Sequence, residues 1–124
     1  MVKQKSIVIV DDEFDTVELF SEMMRLAGYQ VYQSFGGAKA IELISEINPS
    51  VVLLDLMMAD ISGLDVLKFI RCDPKLEKTP VIVVTAKSFP EDIKMCMEAG
   101  ANVFLAKPIA FRDLRMAVEQ VVQS

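Results

Sequence analysis

The chain has 124 residues, enough for one domain that buries its own core, and its 52% hydrophobic and 25% charged residues exclude a disordered chain. Its 13 basic and 18 acidic residues give a net charge of −5, which excludes the basic surface that direct binding to nucleic acid or a membrane needs. Because the sequence contains no histidine, Ser-His-Asp catalysis, Cys-His catalysis and histidine-ligated zinc all lack a required part, and carboxylates remain the main source of chemistry.

The first half of the chain predicts two strands and two helices in alternation. The apolar run Ile7 to Val10 predicts a strand that is buried on both faces. Apolar residues at helical spacing from Phe14 to Ala27 predict a helix that ends at Gly28. The more polar stretch Gln30 to Phe35 predicts a strand at an edge of the sheet, and residues 38–47 predict a second helix.

The second half continues this alternation. Three more apolar runs predict buried strands: Val51 to Leu54, Val81 to Val84, and Val103 to Leu105. Helices are predicted from Leu64 to Ile70, from Pro90 to Gly100, and from Phe111 to Val122. Five strand–helix repeats with short connections predict a single α/β domain over residues 1–124, a doubly wound five-stranded parallel sheet with helices on both faces.

The two cysteines and the N-terminal segment carry no further signal. Cys72 and Cys96 lack CxxC spacing and are predicted to be buried or half-buried apolar residues rather than a redox or metal pair. The apolar run after Lys5 ends at Val10, which is too short for a signal sequence or a membrane span. We therefore expect a cytoplasmic protein.

Polar residues follow four of the five predicted strands at the same edge of the sheet. They are Asp11, Asp12 and Glu13 after the first strand, Asp55 after the third, Thr85 at the end of the fourth, and Lys107 and Pro108 after the fifth. Ligands of open parallel α/β sheets bind beyond this edge. Each residue alone has an ordinary explanation, such as a helix-terminal charge for Glu13 or a surface lysine for Lys107. Their combination predicts a binding site.

The charges of this cluster predict a metal ion. Carboxylates roughly 4 Å apart repel by about 4 kcal/mol per pair at an effective dielectric near 20, so Asp11, Asp12 and Asp55 need positive charge nearby. Lys107 supplies one charge, and Mg²⁺ suits the remaining oxygen ligands because it binds few carboxylates and keeps several waters. Asp55 stands alone and is placed to attack phosphorus, and Thr85 is available to donate its hydroxyl to a phosphoryl oxygen.

The order of these motifs resembles the receiver family of two-component response regulators. VDDE, LLDLMM followed by Gly63, VIVVTA and AGANVFLAKP occur in turn, and the match runs from Ser6 to Val122. The resemblance implies the flavodoxin-like strand order 2-1-3-4-5. It also implies a phosphorelay switch that takes a phosphoryl group from a histidine kinase or a phosphotransfer protein. Such a protein catalyses only its own phosphorylation and dephosphorylation, and is not otherwise an enzyme.

The resemblance also implies roles for individual residues. Asp55 forms the acyl phosphate, and Asp11 and Asp12 hold Mg²⁺ directly or through water. Asp55 itself and the backbone carbonyl of Met57 complete the protein ligands. Lys107 is aimed at the site by a cis bond to Pro108, which sequence alone does not predict because cis occurs in only about 5% of folded X-Pro bonds.

The expected output is a change in the face formed by the fourth helix, the fifth strand and the fifth helix. In the family, a hydroxyl at the end of the fourth strand is coupled to an aromatic ring on the fifth strand, and the corresponding residues here are Thr85 and Phe104. The alternative for Phe104 is that it is an ordinary core aromatic. Ile93, Met95 and Met97 are candidates for the apolar part of this face, unless most of them are core. The expected partner is a downstream protein or a fused output domain, and the chain is expected to be a monomer or a phosphorylation-dependent dimer.

One departure from the family pattern and three alternative functions remain. Ala59 stands where the family usually has proline, which leaves the rigidity of the loop after Asp55 open.

A phosphorylation-independent interaction module of the same fold is a less favoured alternative, because it would need none of the acceptor-site residues that this sequence contains. A flavodoxin-type FMN carrier would need a phosphate cradle where Asp11 and Asp12 stand. A haloacid-dehalogenase-like phosphatase would need a second acid at Met57.

Overall fold

The computed structural model describes residues 4–122, in which five strands and five helices alternate. The strands are β1 (Ser6–Val10), β2 (Gln30–Ser34), β3 (Val51–Leu54), β4 (Val81–Thr85) and β5 (Val103–Ala106). The helices are α1 (Phe14–Leu26), α2 (Gly37–Ile47), α3 (Gly63–Cys72), α4 (Pro90–Glu98) and α5 (Phe111–Val122). Each predicted element is present, with bounds that differ by at most two residues. Gly28 has the positive φ of 94° expected of a residue that ends a helix.

The sheet is parallel throughout, in the order β2-β1-β3-β4-β5. This confirms the predicted α/β doubly wound fold and its strand order. The chain moves outward from β1 in both directions, so the sheet changes winding direction between β1 and β3. Because Val10 pairs with Leu54, Asp11 and Asp55 leave adjacent strands at the same level.

Two cores lie on opposite faces of this sheet, since successive strand residues point to opposite sides. Ile7, Ile9 and Leu53 face α1 and α5 in the first core. Val8 and Val10 face α2, α3 and α4 in the second. All these side chains are at most 1% exposed. The prediction that the runs in β1, β3 and β4 are buried on both faces is therefore confirmed.

Two burial predictions are wrong. The residues of β5 are half-buried or exposed, because β5 is the second edge of the sheet and lacks a neighbouring strand on one side. Cys72 is exposed at the end of α3, whereas Cys96 is buried as predicted, and both are free thiols within residues 4–122. None of the helices in the described part of the chain is long and apolar enough to cross a membrane.

An arginine joins three segments at the amino edge of β4 and β5. The Arg71 guanidinium donates to the side-chain oxygen of Asn102 at 2.9 Å. It also donates to the carbonyls of Glu77, Thr79 and Gly100, at 3.1, 2.7 and 3.0 Å. Asn102 accepts a further bond of 2.8 Å from the Val81 amide. The end of α3 is thereby tied to the first residue of β4 and to the turn before β5.

Candidate functional site

The polar residues predicted to meet at the carboxyl edge of the sheet do so. Asp11, Asp55 and Thr85 are 2%, 6% and 0% exposed, so these three polar side chains are withdrawn from solvent beyond the ends of β1, β3 and β4. Asp12, by contrast, is exposed. The site therefore has a buried floor and one accessible carboxylate at its rim.

Lys107 bridges the two buried carboxylates. Its Nζ lies 2.6 Å from Asp11 Oδ2 and 2.9 Å from Asp55 Oδ2. The bond between Lys107 and Pro108 is cis, as the resemblance implies. One ammonium group thus offsets the repulsion between two carboxylates, which is the charge balance that the sequence requires.

Backbone amides hold the other oxygens of these carboxylates. The Glu13 amide donates to Asp11 Oδ1 at 2.9 Å, and the Met57 amide donates to Asp55 Oδ1 at 3.1 Å. In each case the donor lies two residues after the aspartate, the local turn that aspartate side chains favour. Both carboxylates are therefore fixed at both oxygens.

The surroundings favour an ionised Asp55. Burial acts to raise the pKa of Asp55, but hydrogen bonds from Thr85, Lys107 and the Met57 amide outweigh it and leave this pKa below its ordinary value of 3.8. Burial raises the pKa of Asp11 despite its bond to Lys107. The two carboxylates in turn raise the pKa of Lys107 against the effect of its burial. The hydrogen bonds at Asp55 therefore favour the charged carboxylate over its protonated form.

The loop between β3 and α3 is held by two contacts that sequence reasoning missed. The Ala59 amide donates to Asp12 Oδ2 at 3.1 Å. The Asp60 carboxylate accepts from the amides of Gly37 at 3.0 Å and Ala38 at 3.1 Å, at the start of α2. The hydrogen bonds from Ala38 and Gly37 lower the pKa of Asp60 from 3.8 to about 2. A signal for the second contact was available, since Gly36 precedes α2 and has no side chain with which to cap it.

Gly63 allows α3 to begin close to the end of β3. A Cβ at this position would overlap the carbonyl oxygen of Asp55 and lie 2.8 Å from its carbonyl carbon. The Gly63 amide donates to the Leu56 carbonyl at 3.0 Å. The glycine of the predicted motif thus permits a close approach of two backbone segments.

The donor set fits a hard cation. A cleft of about 490 Å³ opens beside the rim carboxylate, and its lining residues are Asp12, Leu56, Met57, Met58, Ala59 and Lys87. Within residues 4–122, no group of three or more Asp, Glu, Cys or His side chains is arranged to hold a metal ion by itself. Mg²⁺ does not require such a group, because it binds through one or two carboxylates and keeps several waters. The oxygens at this cleft are therefore compatible with Mg²⁺.

The two residues of the expected switch lie on neighbouring strands. Thr85 is buried, and its hydroxyl oxygen accepts a bond of 3.2 Å from the Lys87 amide. Phe104 pairs with Val83 in the sheet, and its ring packs against the core beneath α4. The ring is only half-buried, which distinguishes it from the fully enclosed side chains of β4.

The apolar residues of α4 face solvent. Ile93, Met95 and Met97 are 37%, 50% and 44% exposed, whereas Asp92 and Cys96 are the buried residues of this helix. The alternative that most of these apolar residues are core is therefore wrong. Ile93, Met97 and Phe104 remain candidates for a partner surface.

Comparisons with known proteins agree with this fold. A family model described as the response regulator receiver domain matches residues 7–119. The polar-differentiation response regulator DivK of Brucella ovis is 32% identical over 106 residues, which is 86% of each chain. A candidate response regulator from Chloroflexus aurantiacus superimposes with a TM-score of 0.93 at 29% identity, covering 98% of this chain and 100% of the other.

A third protein is similar in fold. The receiver domain of a sensor histidine kinase from Pseudomonas aeruginosa, whose structure has a magnesium ion coordinated in the active-site cleft, has a TM-score of 0.90 at 24% identity. The match covers 98% of this chain and 100% of that domain. Because the family model spans most of the sequence and the DivK relative exceeds 30% identity, the chain belongs to the receiver-domain family of two-component response regulators.

Proposed function

We propose that this receiver domain is a phosphoryl-accepting switch in which Asp55 takes the phosphoryl group from a histidine kinase or a phosphotransfer protein. The observation that carries the proposal is the bridge from Lys107 Nζ to Asp11 and Asp55, at 2.6 and 2.9 Å. It places a cation directly beside an ionised carboxylate at the edge where α/β sheets bind ligands. We further propose that residues 1–124 form a single receiver domain and that it acts in the cytoplasm.

The chemistry follows from the charges at the site. A carboxylate oxygen of Asp55 attacks phosphorus, and the new O–P bond forms as the P–N bond to the donor histidine breaks. The departing imidazole nitrogen keeps the electron pair of the broken bond. Lys107 offsets the negative charge on the transferring oxygens, and the Met57 amide holds the Asp55 carboxylate in position. The chain modifies only itself in this step.

Mg²⁺ is the proposed cofactor, which Asp11 and Asp12 would hold directly or through water, together with the carboxylate of Asp55 and the backbone carbonyl of Met57. When bound, it supplies positive charge to the phosphoryl oxygens. The support comes from this chain's own oxygen donors and from the cleft beside Asp12. Magnesium in the Pseudomonas receiver is consistent with this proposal.

Readout is proposed to run from Thr85 to Phe104. The hydroxyl of Thr85 turns toward a phosphoryl oxygen on Asp55, and the half-buried ring of Phe104 moves inward. This changes the surface formed by α4, β5 and α5, to which Ile93 and Met97 contribute. The partner is a downstream protein or a fused output domain, bound by a monomer or a phosphorylation-dependent dimer.

Intact-mass measurement after incubation with a small phosphodonor tests this function. The wild type should gain one phosphoryl group in the presence of Mg²⁺ and none after chelation. Asp55→Asn should gain none, whereas Asp65→Asn, a matched change at an exposed helix residue, should behave as the wild type. An equal gain in Asp55→Asn would refute the assignment. No gain in the wild type would favour the phosphorylation-independent interaction module.

A further inference from the structure

The loop after the acceptor strand makes a contact that the usual family residue could not make. Ala59 occupies the position where the family generally has proline, and its backbone N–H donates to Asp12 Oδ2 at 3.1 Å. Proline has no N–H, so a chain with proline here would lack this donor. The contact joins residues 47 positions apart in the sequence.

We propose that Ala59 is a positioning residue whose backbone amide holds Asp12 in the orientation that magnesium binding uses. This inference rests on the proposed function. Within residues 4–122, Asp12 accepts this single hydrogen bond, through Oδ2, and so keeps Oδ1 for a metal ion. Because Asp12 is exposed, its side chain would otherwise sample several rotamers, and metal binding would have to immobilise it.

The loop that carries the Ala59 amide is also fixed by the next residue, Asp60. Asp60 accepts bonds of 3.0 and 3.1 Å from the amides of Gly37 and Ala38, which tie the next residue of the loop to the start of α2. The loop is thus held to β1 through Asp12 on one side and to α2 on the other. Hydrogen bonds supply the rigidity that a proline ring would otherwise give, and they also orient Asp12.

The inference predicts that deleting one N–H weakens magnesium binding. Calorimetric titration with MgCl₂ should give a Kd about three- to tenfold higher for Ala59→Pro than for the wild type. This is less than the roughly 10- to 100-fold loss usual when a metal ligand loses its hydrogen-bond partner, because this bond is exposed. Replacement of Ala59 by lactic acid through nonsense suppression removes the same N–H without adding a ring, and should weaken binding similarly. Ala59→Gly keeps the donor and loosens the chain, so it measures the effect of flexibility alone and should weaken binding less.

Two further readouts separate positioning from general damage. The Mg²⁺ concentration for half-maximal phosphorylation should rise in the ester variant, while the rate at saturating Mg²⁺ stays within twofold, the expectation for a roughly uniform loss of metal affinity. In an Asp12→Ala background, which has no side-chain acceptor for this N–H, the ester at position 59 should have no further effect on the Kd. If proline folds poorly at position 59, the ester variant still decides the question.

The inference and the proposed function fail in different ways. A wild type that binds no Mg²⁺ and gains no phosphoryl group would overturn the proposed function. A wild type that does both, together with an ester variant or Ala59→Pro that binds Mg²⁺ as tightly as Ala59→Gly or more tightly, would overturn the inference alone.

Discussion

Replacing Arg71 should destabilise the fold without altering the acceptor site. Arg71→Met keeps most of the aliphatic stem and removes all four hydrogen bonds of the guanidinium. The bonds to Thr79 and Gly100 are partly buried, whereas those to Glu77 and Asn102 are exposed. Counting about 1 to 1.5 kcal/mol for each partly buried bond and little for the exposed ones gives a loss of about 2 to 3 kcal/mol.

Urea unfolding followed by circular dichroism measures this loss. With a slope typical of a domain of this size, the midpoint should fall by about 1 to 2 M urea. Arg25→Met is the matched control, because Arg25 is half exposed and its side chain makes a long ion pair of 3.5 Å with Glu22. It should cost less than about 0.5 kcal/mol. If Arg71→Met costs no more than Arg25→Met, the guanidinium bonds do not stabilise the amino edge of the sheet.

Three further predictions concern the acceptor edge. Gly63→Ala should both lower the unfolding midpoint and impair phosphorylation, because the added Cβ overlaps the Asp55 carbonyl; a stable, fully active variant would show that the backbones can separate there. The carboxylate of Asp60, with a pKa lowered from 3.8 to about 2, contributes stability that is present above about pH 4 and is lost as the pH falls toward 2. The stability gap between wild type and Asp60→Asn should therefore stay constant from neutral pH to about pH 5 and narrow below about pH 4 in urea titrations, and a gap that widens in acid would contradict this. Lys107→Met should abolish phosphorylation at any practical Mg²⁺ concentration, whereas Lys94→Met, at an exposed position of α4, should not. Intact-mass measurement would show the difference, and an equal gain of phosphoryl groups in the two variants would mean that Lys107 takes no part in the chemistry.

Sequence alone predicted those parts of the fold that depend on burial along a strand or a helix face. The runs in β1, β3 and β4 are apolar because both of their sides are covered, and this is visible residue by residue. The run in β5 looks the same in sequence, yet it is only half-buried. Its exposure follows from the strand order, which is a property of the whole sheet.

The proposed acceptor site was also predicted only in part. Asp11, Asp55, Thr85 and Lys107 could be predicted because parallel strands deliver their end residues to one edge. The contact of the Ala59 amide could not be predicted, because every residue except proline has a backbone N–H and the partner of this one lies 47 positions away. The path of the loop decides that contact, and the loop is itself fixed by contacts distant in sequence.

The bridge from Lys107 to Asp11 and Asp55 spans 96 and 52 sequence positions. During synthesis, Asp55 leaves the ribosome long before β5 and the lysine that follows it. A nascent chain therefore carries the acceptor carboxylate without its cation, and a chain cut before β5 does the same. On the proposed function, the chain can accept a phosphoryl group only after β5 has joined the sheet and brought Lys107 to Asp55. Phosphorylation is therefore restricted to chains in which the whole sheet has formed.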